Sequence, residues 1–376
     1  MKVLITGADG FIAKNLRLHL AEREDVSVVC FTRLDDPARL PALLAEVDLV
    51  FHLAGVNRSH DPQEFTTGNV ELTEALCRAI CSTAVATGRK VPVIYTSSAH
   101  TSLDTPYGQS KQRAEAALQA MERSHQVPVH IFRLPNVFGK WSKPNYNSVV
   151  ATFCHNIARD LPIQIHDPTA PLTLLYVDDL VARFVQLMDG ATAAVDADGF
   201  ATLAPQYTTT VGELARQIQA FKDSRASLMI GRVGTGLQRA LYATYVSYLP
   251  VEAFAYAVPQ HSDARGVFVE MLKTPDSGQF SFFTAHPGIT RGGHYHHTKT
   301  EKFLVIKGLA RFKFRHMQTG QAHELVTSGE RAQVVETVPG WTHDITNIGT
   351  DEMVVMLWAN EVFDPARPDT FACPLP

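Results

Sequence analysis

The sequence predicts an α/β half, a doubly wound parallel sheet, followed by an all-β half, a small antiparallel barrel or jelly roll. Three observations carry this. Short apolar strands alternate with helices of crossover length in the first 240 or so residues, which implies parallel pairing through right-handed connections. A glycine turn follows the first strand and opens a helix. From Val267 onward the runs become short and alternating, punctuated by Gly, Pro and Asn, as strands of an antiparallel barrel are.

Lys2 to Thr6 reads as the first strand and Phe11 to Ala21 as a helix with apolar residues on one face. Val26 to Thr32 and Asp48 to Ala54 are the next strands, Glu71 to Ala86 is a helix, and Val91 to Ser97 is a strand again. The later half offers Gln279–Ala285, Lys302–Lys307, Ala310–Arg315 and Met353–Trp358. The texture changes between Thr244 and Val258, where Pro250 and Pro259 interrupt any long helix, so the domains are expected at 1–248 and 249–376.

Composition narrows the function classes. The 376 residues are 45% apolar and 19% charged with a net charge of −4, which gives ample core and no electrostatic footprint for nucleic acid. No apolar run is long enough to cross a bilayer, and Met1-Lys2-Val-Leu-Ile-Thr-Gly leads into a strand rather than a signal peptide. Five scattered cysteines (Cys30, Cys77, Cys81, Cys154 and Cys373) argue against a disulfide framework. A cytoplasmic protein is expected.

Thr6-Gly7-Ala-Asp9-Gly10-Phe11-Ile12-Ala13 is suited to a dinucleotide, because its glycines allow a tight turn and the pyrophosphate can rest on the helix N-terminus. The sheet is therefore expected to be of Rossmann type. At the end of the second strand stands Arg33, which suits a 2′-phosphate and favours NADPH; Asp35 and Asp36 just beyond keep NAD open.

Tyr107-Gly-Gln-Ser-Lys111 places a phenol and an ammonium on one helix face at i, i+4. A tyrosine is a poor proton donor at neutral pH, and a neighbouring ammonium is expected to lower its pKa. A third hydroxyl normally polarises the substrate carbonyl; Ser97, Ser98, Thr101 and Ser102 are available, with Ser98 ranked first. With the glycine turn, His52-Leu53-Ala54-Gly55, Asn69, Arg133-Leu-Pro-Asn136-Val-Phe-Gly139 and Tyr176-Val-Asp178-Asp179, the first 240 residues resemble the extended short-chain dehydrogenases/reductases. That resemblance implies nucleotide-sugar chemistry, with Tyr107, Lys111 and Ser98 catalytic and Gly7, Asp9, Gly10, Phe11, Ile12, Arg33, Leu53, Ala54 and Lys111 around the cofactor. Ser98 stands nine residues before Tyr107, a shorter loop than most such relatives have.

In the second half, Gly288, five residues, His294-Tyr-His296, four residues, Glu301, six residues and Gly308 match the first cupin motif. Pro339-Gly-Trp-Thr-His343 resembles the second, with Pro and Gly adjacent where the pattern usually separates them. Strand alternation sends His294 and His296 to one face and His297 to the other. Three imidazoles and a carboxylate suit Zn or another first-row divalent metal, although metal-free cupin epimerases use a His with a Tyr. Lys299, Lys302 and Glu301 stand near as candidate bases, and a lysine base needs desolvation to lower its pKa.

The combination resembles the CapF family of bifunctional capsular polysaccharide enzymes. The residues that carry it are His52–Arg58, Phe138–Val149, His294–Phe303 and the tail Phe363-Asp-Pro. The resemblance implies a UDP-linked 2-acetamido-2,6-dideoxy-4-hexulose inverted at C3 in the cupin domain and then reduced at C4. It also implies substrate contacts from Asn57, Arg58, Asn136, Lys143, Asn145 and Asn147. Lys140 and Lys143 in the loop Lys140–Asn147 are expected to meet phosphate, and its aromatics to stack. A homodimer is the default for both folds. The competing reading makes the cupin a non-catalytic dimerisation or effector-binding module on a plain 4-ketosugar reductase. A 4,6-dehydratase is disfavoured because Ser97-Ser98-Ala99-His100 lacks the acidic pair such enzymes place there.

Overall fold

The structure is a computed structural model. It describes the chain apart from 264–265, 270–271, 273–277 and 362–365, and apart from the side chains of 260–263, 266–269, 279 and 281. The tail Phe363-Asp-Pro lies outside the described residues.

Five parallel strands form the first sheet: β1 (Lys2–Thr6), β2 (Ser27–Phe31), β3 (Leu49–His52), β4 (Val93–Ser98) and β5 (Val129–Leu134), in the order β2-β1-β3-β4-β5. Strands β3 and β4 are buried along their whole length, so their residues do not alternate between a core face and a solvent face. Leu4, Val50, Val93 and Tyr95 of the sheet meet Leu76, Ile80 and Leu118 of the helices in one core. Each fully buried side chain of this kind contributes about 1.5–3 kcal/mol. The chain runs outward from β1 to β2 and returns on the other side as β3, so the sheet has its switch point between β1 and β3. Ligands of open α/β sheets bind at the carboxyl ends of strands at such a point.

The second half holds two antiparallel five-stranded sheets, as the jelly-roll expectation required. One runs Gln279–Ala285, Met353–Ala359, Glu301–Lys307, Gln333–Glu336, Ala255–Ala257. The other runs Ala322–Ser328, Leu309–His316, Trp341–Asn347, Thr290–Tyr295, Phe371–Ala372. Trp358, Phe312 and Phe314 are among the side chains that fill the barrel.

By packing, the chain divides into Met1–Lys143 with Leu172–Thr208, and Pro144–Pro171 with Thr209–Pro376. That division does not follow the change of texture at 248/249. Helices Val149–Ala158, Val211–Ser227 and Gly236–Ser247 belong with the β-rich unit. The physical reason is a buried charge cluster: Arg225 reaches Glu336 at 3.1 Å, and the Tyr242 hydroxyl donates to the same carboxylate at 3.3 Å. Among the described residues, no helix is long and apolar enough to cross a membrane.

Candidate active sites

In the α/β unit, Gly7 adopts φ +65°, and a Cβ there would stand 2.6 Å from the Ala54 backbone. Only glycine lets the turn after β1 come this close to the end of β3. Gly10 caps helix Phe11–Ala21 without a side-chain hydrogen bond, which leaves the first backbone N–H groups for an anion. Phe11 and Ile12 are half-buried, Asp9 is exposed with Arg17 4.0 Å away, and Leu53 and Ala54 are half-buried at the end of β3. Asn69 holds that segment. Its side-chain oxygen accepts from Val56 N at 2.7 Å, and its amide donates to Val56 O and Ser110 Oγ, both at 2.9 Å.

Arg33 is 86% exposed, with Glu64 3.9 Å away. Asp35 and Asp36 are engaged locally. Asp35 accepts from the backbone and hydroxyl of Thr32, both at 2.9 Å, and pairs with Arg39; Asp36 caps the next turn through Ala38 N.

The residues expected to carry reduction converge at the end of β4. Ser98 ends the strand and accepts from His100 N at 3.1 Å. Helix Pro106–His125 starts with Thr105, whose hydroxyl accepts from Gly108 N at 3.1 Å. Gly108 is a residue that the sequence reading passed over. A Cβ on it would stand 2.8 Å from the His100 carbonyl and closer still to that of Leu103, so the short loop closes only with glycine here. The closure sets Tyr107 near Ser98, whose hydroxyl acts to lower the pKa of the phenol.

The other three hydroxyls are placed differently. Ser97 donates to Glu115 at 2.5 Å, Thr101 is buried, and Ser102 donates to the Ala99 carbonyl at 3.4 Å. Glu115, also unforeseen, is held by Arg133 through contacts of 2.7 and 3.1 Å.

One expectation needs correction. Burial raises the Tyr107 pKa, opposed by the Ser98 hydrogen bond, and Lys111 does not lower it. Lys111 instead donates to the Thr96 carbonyl at 2.8 Å and lies over the Tyr95 ring. Burial pushes its own pKa down to about 7.

The expected substrate residues are less uniform. Asn57 and Arg58 are exposed on the loop after β3, and Asn136 is exposed while donating to the Thr173 carbonyl at 3.3 Å. Lys143, Asn145 and Asn147 are exposed, Asn145 with φ +54°. Lys140 does not reach out to phosphate as expected: it is buried and donates to Asp178 at 2.7 Å, an internal ion pair.

In the β-rich unit, His294, His296, Glu301 and His343 offer ligand atoms that all lie within 4.8 Å of one another. His294 comes from Thr290–Tyr295 past a register shift, His296 from just beyond it, Glu301 from the first position of its strand and His343 from Trp341–Asn347. The residues fit a metal. His296 Nε2 stands 3.1 Å from Glu301 Oε2, while His343 Nε2 is 3.6 Å away and neither of its buried ring nitrogens makes a hydrogen bond among the described residues. Such orphaned buried nitrogens are costly unless something else satisfies them. Burial, with the charges of His343 and His296, pushes His294 down to about 3, and burial lowers His343 as well. Against the effect of burial, the charge and hydrogen bond of His296 hold Glu301 well below the usual range. A neutral His294 and His343 and an ionised Glu301 are in the forms that bind a cation.

His297 packs against Tyr295 and Phe371, away from the cluster. Lys302 is removed from the candidate bases: it is buried in an ion pair with Glu336, whose charge outweighs burial and raises its pKa. Lys299 Nζ stands 2.8 Å from Glu301 Oε1.

Comparison with known proteins decides the family. Residues 3–199 match the NAD dependent epimerase/dehydratase family, and 261–371 match the polysaccharide biosynthesis C-terminal domain. The chain is 62% identical, over 99% of its length and 98% of the relative's, to a UDP-2-acetamido-2,6-beta-L-arabino-hexul-4-ose reductase of Pseudomonas aeruginosa. CapF, a capsular polysaccharide assembling protein of Staphylococcus aureus, matches in structure over 100% of both chains with TM-score 0.66 and 40% identity. This chain belongs to the CapF family. A UDP-glucuronic acid 4-epimerase of Bacillus cereus in complex with NAD shares the fold over 59% of this chain and 85% of its own, with TM-score 0.52 and 19% identity. The CapF fold thus joins an extended short-chain dehydrogenase/reductase, an oxidoreductase with a nicotinamide cofactor, to a cupin.

Proposed function

We propose that this chain is an NADPH-dependent reductase of a UDP-linked 4-keto sugar in polysaccharide synthesis, and that its cupin part first inverts C3 of that sugar. The substrate is a UDP-2-acetamido-2,6-dideoxy-4-hexulose. The product is a UDP-6-deoxy-L-talose-type N-acetyl sugar, on the route to UDP-N-acetyl-L-fucosamine for capsule or O-antigen. The observation that carries the double reading is that one chain holds both the Ser98–Tyr107–Lys111 group and the four-ligand cluster. The name and 62% identity of the Pseudomonas relative support the reductase half.

For reduction, Tyr107 donates its phenolic proton to the C4 oxygen while Ser98 polarises the carbonyl. Lys111, buried against Thr96, orients the nicotinamide ribose. Bound NADPH supplies the hydride. Gly7, Asp9, Gly10, Phe11, Ile12, Leu53 and Ala54 hold its pyrophosphate and neighbouring parts, and Arg33 meets the 2′-phosphate. The engagement of Asp35 by Thr32 and Arg39 supports NADPH over NAD, since that carboxylate is not presented to a ribose hydroxyl. Asn57, Arg58, Asn136, Lys143, Asn145 and Asn147 are the proposed contacts to the UDP-sugar.

For inversion, the 4-keto group acidifies the C3 proton, so a base of the cupin part takes it up and a proton is returned on the other face. A divalent cation such as Zn, held by His294, His296, Glu301 and His343, would stabilise negative charge at the keto oxygen. Reduction removes that acidity, so inversion comes first. The protein is proposed to act as a cytoplasmic homodimer, with no nucleic acid or membrane partner. The exposed Phe280 and Phe282 on the edge strand Gln279–Ala285 support pairing.

The deciding experiment omits NADPH. The UDP-4-keto-6-deoxy sugar is incubated with protein in D2O and C3–H is followed by NMR before and after chelation. Deuterium entering at C3, and stopping on chelation, is expected. No exchange would leave a reductase with a non-catalytic cupin.

A further inference from the structure

The last residues of the chain return to the cluster. Phe371 and Ala372 pair with Tyr295 and His294, the Cys373 N–H donates to the Gly293 carbonyl at 2.7 Å, and the Thr342 hydroxyl donates to the Cys373 carbonyl at 2.5 Å. The tail is thereby bonded to the strand of His294 and to the neighbour of His343.

Asp369 leads into this segment. Its carboxylate accepts four hydrogen bonds from one turn: His297 N at 2.8 Å, Thr298 N at 2.7 Å, Thr298 Oγ1 at 2.9 Å and Lys299 N at 2.7 Å. Those residues form the link between His296 and Glu301. The backbone carbonyl of Asp369 lies 2.5 Å from His296 Nδ1. A carbonyl can only accept, so Nδ1 carries a proton in this contact, which leaves Nε2, on the Glu301 side, as the ring atom that a cation would take.

We propose that Asp369 is a positioning residue of the cluster: its carboxylate sets the turn between two ligands, and its carbonyl fixes the tautomer and orientation of His296. This rests on the reading of His294, His296, Glu301 and His343 as a metal site. Partners that orient a ligating imidazole typically change metal affinity by 10–100-fold when removed. Asp369 touches no ligand atom itself and was silent in the sequence, where it lies in a Pro-Asp-Thr run resembling a plain turn.

The test compares wild type, Asp369→Ala and Asp369→Asn in two measurements. Cobalt(II) is titrated into the metal-free protein and its absorption read. Separately, the His296 ring nitrogens of the metal-free protein are read by long-range 15N–1H NMR at a pH where the imidazoles are neutral. Asp369→Ala is expected to weaken cobalt about 10–100-fold, with Asp369→Asn between it and wild type. In both variants His296 should pass from Nδ1–H alone to a mixture of tautomers.

A purely structural role would lower stability and leave both readouts unmoved. Folded variants with wild-type cobalt affinity and an unchanged tautomer overturn the proposal. If Asp369→Ala does not fold by circular dichroism, Asp369→Asn decides alone. If wild type takes up no cobalt while the tautomer still shifts in the variants, the metal reading fails and the positioning of His296 by Asp369 stands.

Discussion

Glu301 and Lys302 are neighbours at the start of one strand and face opposite environments. Glu301 enters a cluster of three imidazoles, while Lys302 pairs with Glu336 beneath Tyr242 and Arg225. Strand alternation alone separates the two charges. One becomes available to a ligand, and the other ties the helices Val211–Ser227 and Gly236–Ser247 to the barrel.

Breaking the second pair tests that division of labour. Glu336→Gln leaves the Lys302 ammonium buried without its counter-charge and is expected to cost about 3–5 kcal/mol. Urea unfolding measures the loss. A double variant, Lys302→Met with Glu336→Leu, should recover only part of it, because the Lys302 charge is gone but Arg225 loses its counter-charge.

Tyr107→Phe and Ser98→Ala are expected to slow reduction about 100- to 10,000-fold while NADPH binding stays within about threefold. The assay uses a substrate already inverted at C3, with NADPH absorbance for rate and fluorescence for binding. An unaltered rate in Ser98→Ala would shift the polarising role to another hydroxyl.

Lys111 gives stability a pH dependence. Its folded pKa of about 7 lies below the 10.5 of the free side chain because burial disfavours the charge. Between those values the unfolded chain binds a proton that the folded chain does not, so this contribution to stability rises as pH climbs from about 7 towards 10.5. Below the folded pKa the whole penalty applies, on the order of 5 kcal/mol. Urea midpoints of cofactor-free protein should climb more steeply over this range in wild type than in Lys111→Met.

Arg33→Glu should turn the cofactor preference. Losing a charge-assisted hydrogen bond to a 2′-phosphate costs about 1.5–3 kcal/mol, or about 10–100-fold in kcat/KM for NADPH. NADH should suffer little. Parallel kinetics with both cofactors measure the ratio, and equal losses would show that Arg33 does not read the phosphate.

Much of the arrangement was legible because it rests on local rules. The glycine turn after Thr6 must open a helix, since Gly7 needs positive φ and Gly10 leaves the helix start uncapped. The spacing from Gly288 to Gly308 sets His294, His296 and Glu301 around the turn between two consecutive strands. Lys140 was misread for the opposite reason. A lysine beside Trp and Pro resembles a surface loop, and its partner Asp178 lies far along the chain. Tyr107 and Lys111 share a helix face as their spacing requires, yet burial and the Thr96 carbonyl decide where the ammonium points.

The sequence by itself determined the two fold types, the His and Glu residues that gather in the barrel and the family, because turn glycines, strand periodicity and fixed spacings act over a few residues. Only the tertiary structure decided that Gly108 closes the Ser98–Tyr107 loop, that three helices from the first half pack with the barrel, and that Asp369 returns to His296. Those outcomes depend on burial and on hydrogen bonds between distant segments, and no local pattern encodes which distant group will satisfy a buried charge or a ring nitrogen.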